Sequence, residues 1–189
     1  LLDTEDMGDY LQIFDVISRN PENRGNVSFS ARVQGLSIIQ RAITDMELKH
    51  LKVDLPFQPQ SLDDMVNFIA NADNNDEEGI VIRDGRGRYT PGRPNSGGPA
   101  WKLKFYSTVT CRVTSIHPTK ASIGIEVQDT AGNCLVPTNY KMPVVGDLVE
   151  IRYLYAYAEG SLYQPVYQGI RSDLVELDFF KQPPLKYRK

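Results

Sequence analysis

Glu77-Glu78-Gly79-Ile80-Val81-Ile82-Arg83 and Trp101-Lys102-Leu103-Lys104-Phe105 bracket a loop of Gly, Pro and Arg. The first run is an acidic pair followed by a β-branched apolar stretch, which predicts a strand with a carboxylate at its mouth. In the second, Lys102 and Lys104 alternate with Leu103, so both amines share one strand face while Leu103 and Phe105 turn to the core. Like charges on one strand face repel by about a few tenths of a kcal/mol when exposed. A bound phosphate relieves that repulsion. A carboxylate held at a sheet mouth suits Mg²⁺, which takes oxygen ligands and neutralises phosphate charge. The set therefore suits a site holding a polyphosphate and a divalent cation. Taken singly, Glu78 reads as a solvated strand end and the lysines as a polar strand face.

The surroundings favour the joint reading. From Arg83 to Lys104 the basic residues are Arg83, Arg86, Arg88, Arg93, Lys102 and Lys104, opposed only by Asp84. A net charge of −3 argues against wholesale wrapping of DNA, but a local excess of this kind can meet a phosphate chain on an acidic protein. Upstream, Tyr10–Val16 reads as a buried strand, Ser30–Met46 as a helix with one apolar stripe (Val33, Leu36, Ile39, Ala42, Ile43, Met46), and Leu51–Pro56 as a strand. Ser61-Leu-Asp-Asp64 is a capping-box pattern opening a second helix through Met65, Phe68 and Ile69. This order predicts an α/β domain over residues 1–106 with a mixed sheet at its centre.

Beyond Tyr106 the period changes to two. Val109, Cys111 and Val113 alternate with polar residues, then Ile123, Ile125 and Val127 do so. Further strands are expected at Leu148–Leu154 and Val166–Ile170, with turns at Ala131-Gly132-Asn133 and Glu159-Gly160. Many short strands without a long helical pattern predict a small antiparallel barrel over 107–180. Residues 181–189 form a basic, Pro-containing tail expected to fray.

With 189 residues, 41% apolar and 24% charged, the chain can form one globular unit or two small ones. No stretch approaches a membrane span, and no signal segment opens it. Cys111 and Cys134 match no metal-ligand spacing, so a reduced intracellular protein is the simplest reading. His50 and His117 are isolated and read as structural or surface residues, and Trp101 as a packing residue. Phe14, beside Asp15 at a strand end, is a candidate for stacking on a base, although an aromatic there is more often core.

Taken in order, these runs resemble the nucleotidyltransferase motifs of ATP-dependent DNA ligases. Leu11-Gln-Ile-Phe-Asp-Val16 is similar to motif III, whose Phe, here Phe14, stacks on adenine. Glu78-Gly-Ile-Val-Ile-Arg83 is similar to motif IV, whose Glu, here Glu78, helps hold a divalent metal. Tyr89-Thr-Pro-Gly-Arg93 resembles the loop between motifs. Trp101-Lys-Leu-Lys104 is similar to motif V, whose lysines, here Lys102 and Lys104, contact the AMP phosphate. Pro165–Asp173 resembles motif VI within an oligonucleotide-binding (OB) fold, with Arg171 and Asp173 matching and Leu174 standing where a basic residue is usual. The resemblance implies a partial nucleotidyltransferase domain followed by an OB-fold barrel. It also implies ATP (as AMP) and Mg²⁺ as cofactors, with nicked double-stranded DNA as partner and Arg83, Arg86, Arg88 and Arg93 on its phosphates. A monomer is expected, in a bacterial or viral cytoplasm.

One departure is large. Lys-x-Asp-Gly, which carries the family's adenylated lysine, occurs nowhere in these residues. Covalent nucleophilic catalysis needs an activated amine against the α-phosphate, so the chain reads as the rear part of a larger enzyme and is expected not to self-adenylate. Two other readings remain: an mRNA-capping guanylyltransferase, and a non-catalytic nucleic-acid-binding module derived from a ligase.

Overall fold

The computed structural model describes residues 1–17, 27–90, 98–127, 130–135 and 141–188. They form two units, one of Leu1–Val66 with Val81–Leu103, the other of Asn67–Ile80 with Lys104–Lys189.

In the first unit, β1 (Leu2–Asp6) pairs antiparallel with β2 (Leu11–Val16), and β3 (Leu51–Val53) adds parallel on the other side of β2. The turn between β1 and β2 closes on Gly8, at φ 89, whose N–H donates to Asp6 Oδ1 at 2.9 Å. Helix α1 (Phe29–Asp45) begins at Ser28, whose hydroxyl accepts from Ala31 N–H. Gly35 lets it approach the sheet: a β-carbon there would lie 3.4 Å from Val16 Cβ. The apolar core of this unit is small, comprising Ile13, Ile17, Phe29 and Leu36. Of the expected helical stripe only Leu36 is buried, and Met46 is exposed.

Helix α2 (Leu62–Asn74) opens as its sequence predicts: Asp64 N–H donates to Ser61 Oγ while Ser61 N–H donates to Asp64 Oδ2, both at 3.1 Å. It buries none of its side chains. Strands β4 (Gly79–Arg83) and β5 (Ala100–Lys104) form a separate two-stranded sheet. The expected single central sheet is thus divided into a three-stranded and a two-stranded sheet. Phe105 is buried, but Leu103 and Trp101 are 40% and 48% exposed, correcting the core roles expected for them.

The second unit is β-rich. β6 (Ser107–Ile116) pairs with β7 (Ser122–Val127) and with β9 (Leu148–Tyr153), and β7 pairs with β8 (Thr130–Leu135). A short hairpin, β10 (Tyr155–Ala156) with β11 (Leu162–Tyr163), precedes β12 (Val166–Ile170). The sheet then returns on itself: β12 pairs antiparallel with β9 and meets β8 at Val166↔Leu135. The period-two faces meet inside, burying Val109, Cys111, Val113, Ile123, Ile125, Val127, Cys134, Val149, Ile151, Tyr153 and Tyr167. Residues 131–133, expected as a turn, lie inside β8 opposite Glu126, Ile125 and Gly124. That register sets buried Cys134 against buried Ile123, so burial outweighs the local turn preference of Gly and Asn. Burial pushes the Cys134 thiol up to about 12 and raises that of Cys111 as well.

The tail does not fray. A short helix α3 (Glu176–Phe179) buries Phe179, and Gln182 then pairs with β6 through its amide, accepting from Thr110 N–H at 2.6 Å and donating to Thr110 O at 2.8 Å. Leu185 enters the core, and Tyr187 bridges Ala156 in parallel. Composition suggested disorder, but backbone pairing and one buried leucine tie the segment down.

Candidate active site

Glu78 stands in a bend just before β4, and Lys104 is the last residue of β5. Lys104 Nζ lies 3.1 Å from Glu78 Oε1, with the carboxylate side chain 55% exposed and the lysine 28%. Lys104 Nζ also donates to Gln164 Oε1 at 3.5 Å, and Gln164 holds a left-handed φ of 51. Behind the pair, Phe105 N–H donates to Glu78 O at 3.0 Å. The two strand ends are therefore joined by a backbone bond and by an ion pair. A half-buried ammonium beside an exposed carboxylate offers an anion one contact and a hard cation another.

Lys102 is exposed. Arg171 is turned to its own neighbour: Nε and Nη2 donate to Asp173 Oδ1 and Oδ2, both at 2.9 Å, with Glu150 Oε1 at 3.7 Å from Nη1. This fork lowers the Asp173 carboxyl below its usual range and raises the guanidinium. Leu174 donates its N–H to Arg171 O.

In the other unit, β2 alternates. Ile13, Asp15 and Ile17 are buried, and Phe14 lies half-buried on the opposite face. Asp15, fully buried, accepts from Arg32 Nε at 2.8 Å and Nη2 at 3.1 Å, and from Arg83 Nη1 at 2.7 Å. Arg32 also donates to the carbonyls of Val27 and Gly87, and both guanidiniums lie over the Phe29 ring. Arg83, expected among the phosphate contacts, thus places its guanidinium on a buried carboxylate. Arg86 is exposed on a turn held by Gly87 N–H to Asp84 O and Asp84 N–H to Pro99 O, and exposed Arg88 just after it bridges Ser28. Arg93 lies outside the described residues.

Sequence reasoning missed Asp15, Arg32 and Lys186. A signal for the first existed: an aspartate at the same period as Ile13 and Ile17 must bury its charge and so requires cationic partners. Nothing in the local sequence pointed to Arg32 or Lys186.

No protein-family model matches the sequence, and no curated protein matches it. Solved structures do. A structure from work on DNA binding with a minimal scaffold in Lig E DNA ligases aligns with a TM-score of 0.67 at 16% identity, over 86% of this chain and 63% of its own. The fold is that of a DNA ligase. Structures of Pmar-Lig_Pre and Pmar-Lig_PreS3 align with TM-scores of 0.64 and 0.61, each at 20% identity over 86% of this chain and 44% of theirs. The ligase resemblance read from the sequence therefore holds for the fold. This chain spans less than two thirds of each of these ligase-fold chains.

Among the described residues, no group of three or more His, Cys, Asp or Glu could enclose a metal ion. A single exposed carboxylate nevertheless fits Mg²⁺, which binds through one or two carboxylates and substrate phosphates while keeping several waters. Glu78 is such a carboxylate, its side chain 55% exposed. Among the described residues, no helix is long and apolar enough to cross a membrane.

Proposed function

We propose that this chain is the rear part of an ATP-dependent DNA ligase, carrying the residues that hold AMP and the nick phosphate. The observation that carries the reading is the Lys104–Glu78 pair at 3.1 Å, at the strand ends where the motif resemblance puts a phosphate-binding amine and a metal-binding carboxylate. The shared fold supports it.

In this reading Phe14 stacks on adenine, and Lys102 and Lys104 hold the phosphate oxygens on which charge develops. Bound at Glu78, Mg²⁺ supplies Lewis-acid neutralisation of that charge. Arg171, oriented by its fork to Asp173, aligns the pyrophosphate that leaves when ATP is consumed. An amine outside these residues attacks the α-phosphorus of ATP and takes AMP. The 5′-phosphate of the nick then displaces that amine, and finally the 3′-hydroxyl attacks the activated phosphate, forming the phosphodiester and expelling AMP. The contribution of this chain is positioning and charge stabilisation.

The β-rich region, taken as an OB-type barrel, and the exposed Arg86 and Arg88, with Arg93, grip the duplex through phosphates, so binding weakens steeply with salt. In this scheme residues 1–106 act as the nucleotidyltransferase segment and residues 107–180 as the OB-type segment, a division by motif. The test is AMP transfer from labelled ATP by the protein produced from the full reading frame, followed by sealing of a nicked duplex. Covalent AMP and sealed product are expected. Intact protein that binds nicked DNA without taking AMP would favour the non-catalytic module instead, a reading that Leu174 in motif VI supports.

A further inference from the structure

The tail segment that pins itself to the β-rich unit carries a lysine, Lys186, whose side chain reaches the candidate site. The backbone of Lys186 is held on both sides. Its N–H donates to Tyr153 Oη at 3.0 Å, its carbonyl accepts from Ala156 N–H at 2.7 Å, and Leu185 before it is in the core. From that anchor, Nζ donates to Glu77 O at 2.9 Å and to Phe105 O at 3.0 Å. Those carbonyls belong to the residue just before Glu78 and the residue just after Lys104. Between them runs the Phe105 N–H bond to Glu78 O. One ammonium thus closes a ring through both strand ends that carry the pair.

We propose that Lys186 is a positioning residue for the Glu78–Lys104 pair. The proposal rests on the reading of that pair as the phosphate and metal site. The approach to Glu78 has little to hold it: residues 73–78 are exposed, and Asp76 occupies a left-handed φ of 54. A carboxylate at the end of such a segment wanders unless its backbone is tied, and misplacement by about 1 Å costs about a hundredfold in rate. A lysine anchored at its backbone loses less freedom on making two charge-assisted bonds than one on a free tail. Its ammonium has three donors, and two of them meet carbonyls of the two segments that carry the pair. Lys186 touches neither the reacting phosphate nor the metal in this scheme; it acts through the backbone.

The experiment compares Lys186→Met and Lys186→Arg with the parent in the full reading-frame protein. Amide hydrogen exchange at Phe105 reports the bond to Glu78 directly. In Lys186→Met it should rise about tenfold or more, the scale of a lost charge-assisted hydrogen bond, while Val149 and Ile151 in β9 exchange as in the parent. Lys186→Arg should restore slow exchange. In nick sealing, kcat should fall about tenfold or more with KM for the nicked duplex retained, and Arg should recover it. Unchanged exchange at Phe105, an equal rise throughout β9, or an unchanged kcat overturns the proposal. A parent protein that takes no AMP defeats the ligase reading instead, while exchange at Phe105 still decides whether Lys186 holds the two strand ends.

Discussion

Arg83 Nη1 lies 2.7 Å from Oδ2 of Asp15, a carboxylate with no exposure to solvent, across 68 residues of chain. With Arg32 on the other oxygen, this cluster ties β2, α1 and β4 where the apolar core has few members. A buried pair of this kind confers little net stability against an apolar substitute, yet breaking it is costly because a charge is left unpaired.

Asp15→Asn should therefore destabilise the protein by about 3–5 kcal/mol. Urea denaturation followed by circular dichroism measures it. A loss under about 1 kcal/mol would show that the arginines find other partners.

Glu78→Gln and Lys104→Met should barely alter stability, since an exposed ion pair contributes no more than about 1 kcal/mol. Each should cut AMP transfer or sealing by the full reading-frame protein about a hundredfold or more. Near-parent rates in both variants would remove the pair from the chemistry.

Arg86→Ala and Arg88→Ala should each weaken binding to nicked duplex of any sequence and reduce the slope of log K against log salt by about one. Arg83→Ala should act mainly on stability, through the loss of one of the two arginines that pair with buried Asp15. Titrations at several salt concentrations separate the two behaviours; equal slopes in all variants would discard the arginine turn as a phosphate contact.

Burial raises the thiol of Cys134 from 9.0 to about 12, and it raises the Cys111 thiol and the Tyr153 and Tyr167 phenols in the same direction. The sign follows from linkage. Between pH 9 and about 12 the folded protein holds a proton at Cys134 that the unfolded chain has released. This contribution is complete below about pH 9 and is lost as pH rises toward 12. Melting temperature measured from pH 8 to 11 should fall, and the thiols should resist a disulfide reagent until unfolding. A thiol that reacts rapidly in the folded protein would contradict this.

Much of the fold was legible because it rests on local periodicity. The alternation at Val109–Val113 and Ile123–Val127 located two strands to within about three residues, and the reciprocal capping bonds of Ser61 and Asp64 are those their spacing predicted. The failures were non-local. β1 has no apolar period, since Leu2, Thr4, Glu5 and Asp6 are all exposed, and only pairing with β2 makes it a strand. The tail looked like a solvated basic segment, yet Gln182 and Leu185 find partners far back in the chain.

The sequence by itself determined the type and order of most elements, together with the carboxylate and the amine at the two strand ends, because side-chain period and capping act over a few residues. Only the tertiary structure decided which charges meet. It put Arg83 and Arg32 on Asp15, and Lys186 on the carbonyls beside Glu78 and Lys104. The reason is energetic: a buried charge must find an opposite charge or a carbonyl wherever the chain supplies one, and local sequence carries no record of which distant segment that will be.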